Sequence, residues 1–165
     1  MTSHRNLPMI SRSSGIFVDI LRPEASALAS LFDCVGWGSN PVEVIARSIA
    51  AYPCTVCAKT EDGTLVGYLS AFSDEVISTM LGELVVHPDF RRRGVASAML
   101  EVLEQRYPDA PIYIKAMGES KRFYAARGFK LPKAELTVMF KHPTASTQTS
   151  QQTTPAQSRT GTATQ

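Results

Sequence analysis

One basic segment of the chain has the residue types and the spacing of a binding site for phosphate groups. It joins an apolar run that ends in Leu84-Val85-Val86 to a helix that the periodicity predicts from about Val95, and it contains Arg91-Arg92-Arg93-Gly94. The start of a helix presents free N–H groups and the positive end of the helix dipole, and a glycine allows a ligand to approach the backbone closely. The segment therefore predicts an anion site, for which a pyrophosphate is the ligand that we expect.

The spacing of this loop differs from that of the common nucleotide-binding loops. The chain contains neither Gly-x-x-x-x-Gly-Lys-Ser/Thr nor Gly-x-Gly-x-x-Gly. Two other interpretations of the arginines are a solvated charge run and a nucleic-acid patch. Because 17 Lys and Arg oppose 15 Asp and Glu, for a net charge of +2, the positive charge is local, and we expect no nucleic-acid partner.

Two ordered motifs resemble the signatures of one enzyme family. Arg91-x-x-Gly94-x-Ala96 resembles the acetyl-coenzyme A (acetyl-CoA) signature Arg/Gln-x-x-Gly-x-Gly/Ala of the GNAT (Gcn5-related) N-acetyltransferases. Further along the chain, Phe123-Tyr124-x-x-x-Gly128-Phe129 is similar to a second motif of that family, Phe/Leu-Tyr-x-x-x-Gly-Phe. The resemblance covers nearly all of residues 15–143 and implies a small, single-domain member of the superfamily.

The resemblance implies an enzyme that transfers an acetyl group from acetyl-CoA to a primary amine by direct attack in a ternary complex. We expect the acceptor to be a small molecule, and we expect no metal. Two alternatives remain open: an acetyltransferase for a protein or peptide amine, and a non-catalytic acyl-CoA-binding module of the same fold. A second copy of the chain, in a homodimer, is also left open as a partner.

The order of predicted elements agrees with the α+β fold that the resemblance implies. That fold is a central mixed, mostly antiparallel sheet flanked by helices, in which two strands, here 79–86 and 112–116, separate to form a cleft. Alternation and turn residues predict the strands 15–21, 55–59, 65–72, 79–86, 112–116 and 136–140. Apolar periodicity and terminal signals predict helices from Pro23 to Gly36, after the N-cap Asn40, from Val95, and over 119–127.

The resemblance also assigns roles to individual residues. Main-chain groups of Val85 and Val86 are expected to bind the pantetheine amides. The pyrophosphate is expected on the loop and helix start formed by Arg91, Arg92, Arg93, Gly94, Val95 and Ala96. Tyr124 is the candidate acid for the departing thiolate, and Glu83 is the candidate base for the amine, acting directly or through water. His87 is the alternative base on the ground of its ordinary pKa.

The acceptor side of the site is expected near the loop between the first two helices. Trp37 stands there between two glycines, either as an aromatic ring at the mouth of an acceptor pocket or as a core residue. In one respect the chain departs from the family pattern, because Met117 occupies the position of a common coenzyme-binding asparagine. We therefore expect coenzyme binding to depend more on the basic loop, with Ser120 and Lys121 as further polar contacts.

The composition predicts one folded domain between two flexible ends. We expect a flexible segment over 1–14, the domain over 15–143, and a disordered tail rich in Ser, Thr and Gln over 144–165. The three cysteines favour reduced thiols, and we interpret the Cys54/Cys57 pair as packing rather than as a zinc or redox site. Since no apolar run is long enough for a membrane span or a secretory signal, we expect a cytoplasmic protein without a membrane partner.

Overall fold

The structure is a computed structural model that describes residues 11–13, 15–38, 40–133, 137, 139 and 141. The chain forms two compact units, Met1–Phe129 and Lys130–Gln165, and the helices and strands of the described residues lie in the first. None of the described helices has the length and apolar character to cross a membrane. The predicted tail 144–165 lies outside the described residues, as does most of the predicted strand 136–140.

From residue 16 to residue 126 the described elements follow the predicted order. The strands are β1 (Ser11–Ser13), β2 (Ile16–Ile20), β3 (Cys54–Thr60), β4 (Leu65–Ser73), β5 (Thr79–Val86) and β6 (Ile112–Tyr113). The helices are α1 (Ala25–Cys34), α2 (Val42–Ala51), α3 (Val95–Arg106) and α4 (Ser120–Ala126), with a 3₁₀ turn at Pro88–Phe90 before α3.

The sheet is mixed and mostly antiparallel. Its strand order is β1-β2-β3-β4-β5-β6, with antiparallel pairing throughout except between β5 and β6, which run parallel. The parallel pairing covers only the start of β5, where Thr79 faces Ile112 and Met80 faces Tyr113. Beyond Met80 the two strands separate. The predicted α+β fold class, with these two strands splayed apart, is confirmed.

Apolar side chains form a core on each face of the sheet. On one face α3 contributes Met99, Leu100 and Leu103, which are fully buried against the strands. On the other face α1 and α2 pack against Tyr68 and Val85 of the sheet. Because both faces of the central strands are covered, β3 and β4 are almost continuously buried rather than alternating between buried and exposed residues.

Three local predictions differ from the structure. Residues 11–13, predicted to be flexible, form β1, because a turn with Gly15 at φ +73° folds them back onto β2. The N-cap of α2 is Pro41 rather than Asn40. The strand predicted over 112–116 stops at Tyr113, since β5 diverges from it there, although Ile114 still packs against the core.

A bulge in β5 changes which side chains face which layer. Gly82 and Glu83 together oppose the single residue Ser70 of β4. As a result Leu81 and Leu84, which are three residues apart, both face the core on the α3 side. Glu83 instead faces the α1 and α2 side, where it lines a cavity. The bulge therefore decides the face on which this carboxylate lies.

Candidate active site

The loop before α3 contains two residues with left-handed backbone conformations. Arg92 has φ +60° and Gly94, the N-cap of α3, has φ +81°, so both lie in the left-handed region. Glycine adopts this conformation without strain, whereas arginine does so rarely. Because Gly94 has no side chain to cap the helix, the N–H groups at the start of α3 are left to a ligand.

Two arginines of this loop are held by contacts with neighbouring residues. The Nε of Arg91 donates a hydrogen bond to the carbonyl of Val86 at 3.3 Å, which ties the loop to the end of β5. The Arg93 guanidinium lies over the Phe90 ring, 5.2 Å from its centre. The side chain of Arg92 is exposed. The positive charge is therefore concentrated around the start of α3.

A cleft of about 380 Å³ lies beside this loop. The described residues that line it are Val35, Trp37, Leu84, Val85, Val86, Arg91, Ala96, Ser120, Phe123 and Tyr124. The structure thus brings together residues predicted for the coenzyme and for catalysis from β5, the basic loop and α4. The cleft begins where β5 and β6 separate, so this part of β5 has an edge that β6 does not pair.

Tyr124 is fixed in the cleft by its own sequence motif. Gly128, with φ +89°, ends α4 in a left-handed turn, and the Phe129 N–H donates to the Tyr124 carbonyl at 3.1 Å. The Phe123 and Phe129 rings pack edge-on against Tyr124, with centres 5.1 and 5.5 Å away. Burial raises the pKa of the Tyr124 phenol, so it keeps its proton at neutral pH.

Glu83 lies on the face of β5 that packs against α1 and α2. It is half-buried, and both of its carboxylate oxygens accept hydrogen bonds. Tyr52 donates its phenol proton to Oε1 at 3.0 Å, and the Ser70 hydroxyl donates to Oε2. Glu83 lines a cavity of about 170 Å³ with Leu28, Phe32, Asn40, Val44, Ile45, Ser48 and Tyr68. The sequence contained no signal for Tyr52 or Ser70, because each is distant from Glu83 along the chain.

Trp37 lies in the cleft rather than in the cavity that contains Glu83. The backbone N–H of Trp37 donates to the Phe32 carbonyl at 3.0 Å. Because of this turn after α1, the centres of the Phe32 and Trp37 rings lie 5.4 Å apart. Phe32 lines the Glu83 cavity and the half-exposed Trp37 lines the cleft. The interpretation of Trp37 as a core residue is wrong, since 46% of it is exposed. This aromatic pair and the segment from Glu83 to Val85 lie between the two cavities.

His87 is engaged within the loop that follows β5. Its ring packs edge-on against Phe90, with centres 5.8 Å apart, and its Nδ1 accepts the Asp89 N–H at 3.3 Å. Neither cavity includes His87 among its described lining residues. The geometry therefore favours Glu83 over His87 as the candidate base.

Of the residues predicted around the start of α4, one lines the cleft and two are exposed to solvent. Ser120 lines the cleft, and its hydroxyl donates to the Met117 carbonyl at 2.7 Å. Met117 itself is 77% exposed, and Lys121 is exposed on α4. Of these three residues, Ser120 is the one that the structure places at the cleft.

Comparison with known proteins agrees with this architecture. The family model described as "Acetyltransferase (GNAT) family" matches residues 21–129. The chain is 27% identical over 122 residues to the uncharacterized N-acetyltransferase ycf52 of Pyropia yezoensis, with 70% of each chain covered.

Solved structures show the same fold. A GNAT-family acetyltransferase from Streptococcus pneumoniae TIGR4 superimposes with a TM-score of 0.66 at 18% identity, covering 78% of this chain and 99% of the other. AAC(6')-Iy, solved with the bisubstrate analogue CoA-S-monomethyl-acetylneamine, superimposes with a TM-score of 0.60 at 16% identity. The superposition covers 79% of this chain and 99% of AAC(6')-Iy. With the family match over residues 21–129, the chain belongs to the acetyltransferase (GNAT) family and is an acetyltransferase.

Proposed function

We propose that this protein transfers the acetyl group of acetyl-CoA to a primary amine of a small molecule, by direct attack of the amine in a ternary complex. The observation that carries the proposal is the placement of two neighbouring cavities along the end of β5, where Glu83 lines one and Leu84, Val85 and Val86 line the other. One is a cleft beside a basic helix start, and the other is a small cavity that contains the Glu83 carboxylate. An acyl donor and an amine can thus occupy neighbouring sites on the same strand.

Two features of the cleft support its proposed role as the coenzyme site. Backbone N–H groups from Arg92 to Ala96, together with the guanidinium groups of the loop, suit a pyrophosphate. The edge of β5 at Val85 and Val86 suits an extended pantetheine arm, which would bond to the main chain as an added strand does. When bound, acetyl-CoA supplies an acetyl group activated as a thioester.

Glu83 is assigned the role of base. An alkylammonium has a pKa near 10.4, so at neutral pH it must lose a proton before its nitrogen can attack. The Glu83 carboxylate faces the small cavity, and each of its oxygens keeps accepting capacity beyond the hydrogen bond that it already receives. It can accept the ammonium proton directly or through one water molecule.

Tyr124 is assigned the role of acid. The departing sulfur leaves as a thiolate and needs a proton, and the Tyr124 phenol lies in the cleft in its protonated form. Its ring is held between Phe123 and Phe129, so the direction of the hydroxyl is set before the coenzyme binds.

The size of the Glu83 cavity favours a small acceptor. A cavity of roughly 150 Å³ holds one benzene molecule, so about 170 Å³ suits one short arm that bears an amine. Most of its walls are apolar, with Glu83 as their one carboxylate among the described residues.

Two measurements test the proposal. Calorimetry should show that acetyl-CoA binds, and a thiol-release assay should show turnover with at least one amine among polyamines, arylalkylamines, aminoglycosides and peptides. Thiol release with peptides alone would replace the small-molecule acceptor by a peptide amine. Coenzyme binding without thiol release on any amine would identify a non-catalytic module, and absence of coenzyme binding would refute the proposal.

A further inference from the structure

We propose that Tyr52 and Ser70, here called the hydroxyl pair, are positioning residues that aim the Glu83 carboxylate into the acceptor cavity. The proposal rests on the function proposed above, in which Glu83 accepts the proton of the amine. It assigns a role to two residues outside both sequence motifs, Tyr52 at the end of α2 and Ser70 on β4. Neither residue is required to touch the substrate.

The hydroxyl pair occupies one site on each carboxylate oxygen. Tyr52 donates to Oε1 and Ser70 donates to Oε2, so rotation of the carboxylate about its terminal bond breaks at least one hydrogen bond. The Ser70 Oγ also accepts the Glu83 backbone N–H at 3.0 Å. Ser70 therefore joins the side chain and the backbone of Glu83 at the bulge, which fixes the carboxylate relative to the strand.

The direction of the Tyr52 hydroxyl is set by packing. The Tyr52 ring lies against the Phe72 ring, with centres 4.4 Å apart. Burial and the negative charge of Glu83 raise the pKa of the Tyr52 phenol, so it remains a hydrogen-bond donor at neutral pH. The same helix α2 contributes Ile45 and Ser48 to the cavity wall, so one element carries both a wall of the cavity and a donor to its carboxylate.

Gly82 supplies the space that the hydroxyl pair needs. A Cβ at this position would lie 2.6 Å from the Ser70 Oγ, 2.7 Å from the Tyr52 hydroxyl and 2.9 Å from the Tyr52 Cε1. Real Cβ atoms essentially never approach other heavy atoms so closely. A side chain at position 82 therefore requires the Ser70 and Tyr52 side chains to shift from their present positions beside Glu83.

Kinetics of single variants separate positioning from simple stabilisation of the fold. Rates of Tyr52→Phe, Ser70→Ala and the parent are measured at saturating acetyl-CoA across pH 6 to 10. The concentration of the amine is varied, and the amine is 2-phenylethylamine or the best acceptor of the panel. Because each hydrogen bond to the charged carboxylate is lost, we expect kcat to fall about tenfold and the acidic limb of kcat/KM to move up by about one pH unit. KM for the amine should change less than kcat.

The matched control removes a tyrosine hydroxyl that lies on the sheet, away from Glu83. Tyr113 on β6 is 51% exposed and pairs with Met80, so Tyr113→Phe should keep the parent profile. Gly82→Ala should reproduce the Tyr52→Phe profile, with circular dichroism as the check that it folds. If Tyr52→Phe and Ser70→Ala lower only the melting temperature and leave the pH profile unchanged, the hydroxyl pair is structural and the positioning proposal is overturned.

A double-mutant cycle tests whether Tyr52 acts through Glu83. In a Glu83→Gln background, Tyr52→Phe should cause little further loss of kcat. An equal loss in both backgrounds would show that Tyr52 acts independently, which overturns the proposal.

A measurement without turnover keeps this test separate from that of the proposed function. The ¹³Cδ chemical shift of Glu83 at pH 8, assigned by its loss in Glu83→Gln, should differ between Tyr52→Phe and the parent, because the hydrogen bond from the Tyr52 hydroxyl is lost. If Glu83→Gln turns over like the parent while this chemical shift changes, the base assignment fails although the contact with Tyr52 stands. An unchanged chemical shift would show that the phenol does not hold the carboxylate in solution and would overturn the proposal.

Discussion

Replacement of Tyr124 by phenylalanine is the sharpest test of the proposed acid. The change removes one hydroxyl group from the cleft and keeps the ring that packs against Phe123 and Phe129. Tyr124 is only 7% exposed, and its environment is shaped by these aromatic contacts. Because the volume and packing of the ring are preserved, we expect the free energy of unfolding to change by less than about 1.5 kcal/mol.

The expected kinetic effect follows from what the hydroxyl supplies. A positioned general acid contributes a factor of about 10² to 10⁴, and water that enters the cleft can replace part of it. We therefore expect turnover to fall by about ten- to a thousandfold, which corresponds to about 1.4 to 4 kcal/mol in the activation free energy. Coenzyme affinity should stay nearly unchanged, because the ring and the basic loop remain in place.

The assay follows thiol release at saturating acetyl-CoA on the best acceptor of the panel, and calorimetry gives the coenzyme affinity of the same preparation. Thermal melting of parent and variant shows whether the fold is equally stable. A Tyr124→Phe enzyme with the turnover of the parent would refute the reasoning. Tyr124 would then be a packing residue of the cleft, and the thiolate proton would come from another source.

Three further predictions concern the loop, the base and a buried thiol. Gly94→Val should abolish acetyl-CoA binding in calorimetry, because a β-branched residue is strained at φ +81°; unchanged affinity in a folded variant contradicts this. Glu83→Gln should flatten the rise of rate with pH and lower the rate most at neutral pH, whereas a profile parallel to that of the parent removes Glu83 from the mechanism. Burial raises the pKa of the Cys57 thiol from 9.0 to about 12, and this thiol donates to the Leu21 carbonyl. The unfolded chain loses that proton first, so the free energy of unfolding in urea should fall by up to about 1.4 kcal/mol per pH unit above pH 9. Burial also raises the pKa of the Cys54 thiol, so Cys57→Ala should reduce this slope by the share of Cys57, and exposed Cys34→Ser should leave it unchanged.

Much of the fold could be predicted from local patterns. The bounds of β5 and the start of α3 agree with the prediction, because alternation, proline and glycine act within a few residues of the chain. The turn of β1 onto β2 and the early end of β6 were missed. Both depend on which backbone groups find partners across the sheet, and short strands have too few residues for a clear pattern.

The sequence by itself determined the loop before α3 and the motif around Tyr124. Each depends on contacts between residues that are close in the chain. Gly94 allows the left-handed N-cap of α3, and Gly128 turns the chain so that Phe129 packs on Tyr124. Their residue types and spacing can be read directly because the relevant contacts span only a few positions.

Only the tertiary structure decided how the carboxylate of Glu83 is held and which cavity it faces. Tyr52 is 31 residues away in the chain and Ser70 is 13 residues away, and both reach Glu83 through the bulge that they share with Gly82. A shift of one residue in strand register moves a side chain to the other face of a sheet. Such a shift depends on long-range pairing and packing, so no pattern of neighbouring residues could have predicted it.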